Sequence, residues 1–527
     1  MPRRFVRTAI CLICWQLSCA GVIAARNGQQ APVVNVQSGL LEGIHFDSDP
    51  NAAAFLGVAY AARPIGDLRW EPPQTPLKWT GTRKATNFGS VCPQLPAPWL
   101  PHIEGNEDCL YLNIWTPELR ADANRPVLVY FHGGSNTQGY SQLTPLGPLS
   151  RLGLVVVSAN YRLGPFGFLA HPALTAESKH HSSGNYGLLD QLQALKWIKE
   201  NIWKFGGNPD LITVMGQSAG AVDTCLLMAS PLSKGLFERA ILESGECQDT
   251  LNEDIRKPIQ YNSIDTTGEA SGERLVRDLG FSGGADVLRK LRQTPAGEIL
   301  KAWKDDPGLH FDAIVDGWIV PKQPAQIFAR GKQMEIPILV GSNADEATVF
   351  GHDDLKSVGD YKRHLRQDTG QYFRQEFELY PASSDADVKT RSIQLESDEF
   401  ASGAYSIAEA MTNAGVQSYL YYFTYVDPGK RSKLGAHHGE ELFFLSDSFP
   451  IDWEHTSEDQ KLGELMRGYW VQFVKTGNPN FDRVPNWPAY SKSSEYFELG
   501  EHIGSRPVPQ RIRALESIMR RIVADQQ

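Results

Sequence analysis

Residues 211–220 constrain this chain more than any other stretch. Leu211-Ile212-Thr213-Val214-Met215 is strand-forming and runs directly into Gly216-Gln217-Ser218-Ala219-Gly220, after which 221–228 is helix-compatible. A Gly-x-Ser-x-Gly set between a strand and a helix imposes an abrupt turn that leaves the serine hydroxyl exposed. The glycines two residues to either side have no Cβ to clash at the crossing. The pattern alone also arises in loops, but its flanks make Ser218 a candidate nucleophile. A nucleophilic serine needs a base, an acid to orient that base, and donors for an oxyanion.

The remaining chain predicts a scaffold for such a site. Short apolar runs at 126–131, 154–158, 240–243, 336–340 and 419–425 are of the kind buried on both faces of a parallel sheet. Alternation from Cys109 suits a further strand. Over 185–205, Leu188, Leu192, Leu195, Ile198 and Ile202 recur at spacings of four and three, which marks a helix with one buried face. Strands alternating with helices predict an α/β fold with a large, mostly parallel central sheet flanked by helices. No repeat or linker divides the chain. It reads as a single domain over 26–527, with helical insertions at about 250–330 and 350–415.

Residues 1–25 stand apart. Arg3, Arg4 and Arg7 precede an apolar segment at about 9–17 and then small residues, the layout of a secretory signal peptide cleaved near 20–25. The apolar part is too short to span a bilayer. The expected location is secreted or periplasmic. Cys92, Cys109, Cys225 and Cys247 remain in the mature chain, and four cysteines permit three full pairings. Cys92 and Cys109 flank a proline-rich loop and are close enough in sequence for a local bridge, whereas a free thiol at Cys225 is as compatible as a bridge. A net charge of −10, with no basic run past the N-terminus, argues against nucleic acid as a partner.

In an open parallel sheet, reactive groups gather at the carboxyl ends of the strands. Four loops fall there: the one holding Ser218, His132-Gly133-Gly134-Ser135 after 126–131, Gly341-Ser342-Asn343-Ala344-Asp345-Glu346 after 336–340, and Gly435-Ala436-His437-His438-Gly439-Glu440 after 419–425. The base is then one of the adjacent pair His437 and His438, and the acid Asp345 or Glu346. A metal site at His437-His438-Gly439-Glu440-Glu441 is disfavoured, because adjacent histidines point apart on regular backbone.

Several landmarks together resemble the type-B carboxylesterase family of the α/β-hydrolase superfamily, which includes the cholinesterases and animal carboxylesterases. They are Glu107-Asp108-Cys109-Leu110-Tyr111-Leu112-Asn113-Ile114, Asn160-Tyr161-Arg162-Leu163-Gly164, the run from Gly184 to Gln191, Phe205-Gly206-Gly207-Asn208-Pro209 before the serine motif, and Thr476-Gly477-Asn478-Pro479. The resemblance implies hydrolysis of small-molecule carboxylic esters through an acyl-serine intermediate, without metal or organic cofactor. Carried over residue by residue, Ser218 is the nucleophile, His438 the base, and Glu346 of Asn-x-x-Glu the acid. The main-chain N–H groups of Gly134, Ser135 and Ala219 form the oxyanion hole. Ser244 buttresses the histidine, Arg69 pairs with Glu107 and Arg162 with Asp190, and Cys92–Cys109 is the family's first disulfide.

Two positions depart from the family pattern. Gln217 stands where many members have glutamate, which removes a negative charge near the imidazole and makes it easier to keep neutral. Ser135 replaces a common third glycine, and serves as a main-chain donor if its φ is negative. The alternative reading is a non-catalytic adhesion or binding module on the same fold. Such relatives typically lack a triad member, and all three are present here. Trp99, Tyr140, Phe311, Phe400 and Tyr405 are candidate gorge-lining aromatics, although aromatics are more often core.

Overall fold

The computed structural model describes residues 30–525 apart from 47–48, 97–104, 248–253, 258–266, 352–354, 427–432, 451–452, 454 and 492. The expected signal peptide at 1–25 and Trp99 lie outside the described residues. In chain order the strands are β1 (Val33–Val36), β2 (Gly39–Glu42), β3 (Ile44–His45), β4 (Ala53–Ala59), β5 (Thr82–Lys84), β6 (Tyr111–Thr116) and β7 (Arg125–Phe131). They continue with β8 (Val155–Ala159), β9 (Gly207–Gln217), β10 (Arg239–Glu243), β11 (Ile338–Asn343), β12 (Ser418–Phe423), β13 (Glu495–Leu499) and β14 (Ile503–Pro507).

Among the described residues, eleven strands form one sheet in the order β14-β13-β12-β11-β10-β9-β7-β8-β6-β4-β3. From β13 to β8 neighbouring strands pair in parallel, and antiparallel strands complete both edges. The mostly parallel sheet predicted from the apolar runs is therefore its central part. β1, β2 and β5 form a separate small sheet.

The apolar runs are continuous because each strand feeds two cores. Val127, Val129 and Phe131 of β7 enter one core, with Val155, Val157, Val214, Leu242, Val340 and Leu420. Leu128 and Tyr130 enter the other, with Val156, Met215, Ile241, Leu339 and Tyr421. The first core is closed by Leu188, Leu192, Leu195 and Ile198 of the helix Tyr186–Asn201, and by the helices Ala219–Ala229 and Asp385–Asn413. The second is closed by the helices Glu441–Ser446 and Ser457–Thr476, through Phe443, Phe444, Met466, Trp470 and Phe473.

Element ends differ from expectation by a few residues. The helix over 185–205 becomes a 3-10 turn at Ile202–Phe205, stopped by Gly206 in the left-handed region at φ 86°. The strand expected from Cys109 starts at Tyr111, because the N–H of Tyr111 is turned back to the Cys109 carbonyl. The strand expected over 336–340 is β11, shifted to Ile338–Asn343. The helical insertions are present as Gly268–Asp278, Val287–Gln293, Ala296–Asp305 and Pro324–Ala329, then Val358–Thr369, Phe373–Leu379 and Asp385–Asn413. The β13–β14 hairpin and the helix Gln510–Asp525 carry no prior expectation.

β7 lies between β8 and β9, so the order of the chain reverses there. Such a switch point opens a crevice at the carboxyl ends of the strands. Two disulfides brace its surroundings. Cys92–Cys109 is formed, with a Cα–Cα distance of 5.0 Å. Cys225, left open between thiol and bridge, pairs with Cys247 at 5.6 Å, tying the helix Ala219–Ala229 to the segment after β10. Replacing both Cys225 and Cys247 by serine frees a loop of sequence separation 22 and is expected to lower the unfolding free energy by about 3 kcal/mol. Urea denaturation of variant and wild type measures it.

Candidate active site

β9 delivers the chain to Ser218, whose φ of 56° and ψ of −127° are sparsely populated for a residue with a side chain. Such a conformation costs on the order of 1–3 kcal/mol and persists only where its surroundings impose it. Here the Ser218 N–H donates to the Glu243 carbonyl at 2.8 Å, and its own carbonyl accepts from Ala221 at 2.8 Å and Val222 at 3.0 Å to start the helix. A Cβ on Gly216 would lie 2.0 Å from the Gly220 carbonyl oxygen, and one on Gly220 would lie 2.2 Å from the Phe131 carbonyl oxygen. Both glycines of the motif are therefore fixed by close approach, and Gly220 presses the turn against the end of β7.

The two histidines separate by their partners. His438 Nδ1 lies 2.5 Å from Glu346 Oε2. His437 is buried, with its Nδ1 3.1 Å from the His438 carbonyl and its main-chain N–H on Glu440 Oε2 at 2.9 Å. Asp345 is occupied elsewhere, accepting from the Ala436 main chain at 2.9 Å. Of the two acidic residues, Glu346 is the one whose carboxylate is hydrogen-bonded to the His438 ring. Burial alone lowers the His438 pKa, but the Glu346 carboxylate and its hydrogen bond outweigh it and hold the group above its ordinary value. The other ring nitrogen, Nε2, lies 3.1 Å from Gln217 Nε2.

Asn343 ties these loops together, a role that the sequence motif did not reveal. Its main-chain N–H donates to Glu346 Oε1 at 2.7 Å. Its side-chain amide donates to the His437 carbonyl at 2.7 Å and to Glu441 Oε2 at 2.5 Å. Burial, reinforced by Glu346, raises the Glu441 carboxyl to about 7. Glu243, which accepts from Trp470 Nε1 at 2.6 Å, is raised well above its ordinary value by burial and then by Glu441.

The loop after β7 lies against the serine. A Cβ on Gly133 would fall 2.9 Å from Ser218 Cβ, and one on Gly134, at φ 112°, would fall 2.1 Å from the Gln138 carbonyl oxygen. Ser135 and Asn136 follow at φ 54° and 55°, so the negative φ that was the condition for Ser135 to serve as a donor is not met. The loop holds this shape through many anchors. The Gly134 carbonyl accepts from Thr137 and Gln138, both at 3.0 Å. Asn136 Nδ2 bridges Asp223 at 3.0 Å and Asp312 at 2.8 Å. Buried Gln94 grips both polar groups of the Gly139 main chain, at 2.9 and 3.0 Å. No sequence pattern points to Gln94; it matters because Cys92, two residues earlier, is bridged to Cys109.

Ala219 begins the helix beside the serine. Ser244 does not reach the histidine: its N–H joins the Gly341 carbonyl at 2.8 Å, and its hydroxyl is buried without a partner among the described residues. The two expected ion pairs are both formed. Arg69 holds Glu107 at 2.7 and 2.5 Å, and Arg162 holds Asp190 through two contacts of 2.7 Å. Of the aromatics, Phe400 stands 5.3 Å from the His438 ring, and Phe350, not singled out from sequence, stands at 5.1 Å. Phe311 and Tyr405 belong to the core, against Trp303 and Tyr490.

The sequence profile of the Carboxylesterase family matches residues 30–514. The chain is 34% identical over 500 residues to the Fumonisin B1 esterase of Sphingopyxis macrogoltabida, spanning 92% of this chain and 89% of that protein. It is 32% identical over 478 residues to the Para-nitrobenzyl esterase of Bacillus subtilis (strain 168), spanning 88% and 93%. A solved PNB esterase structure aligns with a TM-score of 0.77 at 30% identity, over 92% of this chain and 100% of that one.

The left-handed Ser135 has a measurable cost. A non-glycine residue there is disfavoured by roughly 1–2 kcal/mol, and glycine's extra freedom in the unfolded chain offsets part of that. Ser135→Gly is expected to stabilise the protein by about 0.5–1 kcal/mol, read from urea midpoints. No change, or destabilisation, would show that the serine side chain makes up for its backbone.

Proposed function

The chain belongs to the carboxylesterase family and is a carboxylic ester hydrolase of the α/β-hydrolase fold, and we propose that it works through an acyl-serine intermediate on Ser218, His438 and Glu346. The observation that carries this reading is the 2.5 Å contact between His438 Nδ1 and Glu346 Oε2. Glu346 accepts the Nδ1 proton, which leaves Nε2 as the ring atom free to take a proton. Ser218 Oγ then bonds to the ester carbonyl carbon while its proton passes to Nε2. Collapse of the tetrahedral species expels the alcohol, which leaves with that proton. Water repeats the sequence on the acyl-serine, and the acid product departs.

The oxyanion would be held by the main-chain N–H groups of Gly134 and Ala219; Ser135, at φ 54°, does not meet the condition set for it as a third donor. Each such donor typically accounts for about 10²–10³ in turnover. The many anchors on the loop after β7 support this assignment, since donors that are already oriented need no rearrangement as charge develops. Phe350 and Phe400 flank the imidazole that would protonate the leaving alcohol, which favours small-molecule esters whose alcohol presents an apolar surface. The proposed cycle uses neither metal nor organic cofactor. His437 and Ser244 support the loops and do not touch the reacting atoms.

We further read 26–527 as one catalytic domain exported by the 1–25 segment, to the periplasm or outside the cell. Two disulfides are compatible with export, and among the described residues no helix is long and apolar enough to cross a membrane.

Ser218→Ala is expected to abolish both ester hydrolysis and covalent labelling by a fluorophosphonate; retained turnover would remove the assignment. In the wild type, kcat/KM should rise with pH as His438 loses its proton. Because Glu346 raises that group, the midpoint should lie above the ordinary histidine value of about 6.5. A midpoint at or below it would contradict the role given to Glu346.

A further inference from the structure

Gln217 sits where the base has its one free lone pair. Its side chain is buried at 7% exposure, and the amide is boxed between two glycines. A Cβ on Gly133 would come within 2.9 Å of Gln217 Oε1, and one on Gly439 within 3.6 Å of Gln217 Nε2. The amide nitrogen lies 3.1 Å from His438 Nε2, whereas the Ser218 side chain caps no helix N–H, and among the described residues no hydrogen bond joins it to the imidazole. With Nδ1–H donated to Glu346, a neutral His438 presents Nε2 as an acceptor, and the amide orientation compatible with that acceptor is N–H inward.

We propose that Gln217 is a positioning residue that latches the base: its amide N–H occupies the Nε2 lone pair of neutral His438 and must yield it before Ser218 can pass its proton there. The inference rests on the Ser218–His438–Glu346 reading above. The proton moves from Ser218 Oγ to Nε2 as Oγ bonds to the carbonyl carbon, and the amide keeps both of its own protons. A glutamate at this position could serve only the protonated ring. The amide N–H serves the neutral ring, so the residue that departs from the family pattern changes which form of the base is held at rest.

The latch has a sign that distinguishes it from space-filling. The groups facing His438 are Glu346 from the turn after β11, Glu441 from the helix Glu441–Ser446, and Glu396 from the helix Asp385–Asn413, with the rings of Phe350 and Phe400. All three carboxylates favour the imidazolium. A hydrogen bond donated to the neutral ring opposes them, so its removal should move the midpoint upward. If Gln217 only fills space, an apolar replacement desolvates the ring further and moves the midpoint downward.

The test is the rate constant for fluorophosphonate acylation of the full chain against pH, in wild type and Gln217→Met, with Gln217→Leu as the second variant should the first fail to fold. The latch predicts a midpoint higher by about half a unit and an alkaline plateau faster by about 2- to 10-fold, as one competing hydrogen bond is lost. An unchanged or lowered midpoint with no gain at the plateau overturns it. A wild type that is not labelled at Ser218 would instead remove the mechanism on which it rests.

Discussion

The site depends on how closely Gly220 approaches the end of β7. With its Cα pressed against the Phe131 carbonyl, the first turn of the helix Ala219–Ala229 comes down where the chain leaves β7 for His132. That single contact sets two distances at once. It holds the Ser218 turn at the switch point of the sheet, and it brings the Gly133–Gly134 main chain alongside the serine. Any side chain at 220 would push the Ser218 turn and the loop after β7 apart.

Below this crossing the structure accumulates buried acids. Glu346, Glu441 and Glu243 lie in one region with none of their side chains reaching solvent. Three full negative charges there would cost far more than any hydrogen bond returns. Burial, together with the neighbouring carboxylates, accordingly raises Glu441 to about 7 and Glu243 well above its ordinary value. Asn343 makes the arrangement specific by donating to both Glu346 and Glu441, so the acid and the histidine loop are positioned by one residue.

Much of this was legible in the sequence, for reasons that can be stated. Apolar runs such as 126–131 reveal a strand buried on both faces because each alternate residue meets a different core. The serine motif reveals its turn because glycine is the only residue that fits at 216 and 220. The charged pairs Arg69–Glu107 and Arg162–Asp190 and the bridge Cys92–Cys109 came from the family resemblance. What stayed hidden depends on residues that meet only after folding. Gln94 reaches Gly139 across 45 positions, Asn343 reaches Glu441 across 98, and the Cys225–Cys247 bridge joins two segments with no distinguishing pattern. The positive φ of Ser135 was not legible because a main-chain angle in an irregular loop is set by its anchors, here Asn136 and Gln94, rather than by the residue itself.

The two-sided sheet has a consequence for how such a protein can diversify. Ser218, Glu346, His438 and the loop after β7 all hang from strands clamped between two cores, where a change of one methylene on either face would be transmitted to their side chains. Phe400, by contrast, is carried on the helix Asp385–Asn413, which packs on the first core through residues such as Ala404 and Ile407 and on a smaller cluster through Val388 and Leu395. Drift in that helix can reshape what an incoming alcohol touches while the strands beneath keep their register. The strand-end loops and the Phe400 surface thus hang from different parts of the chain.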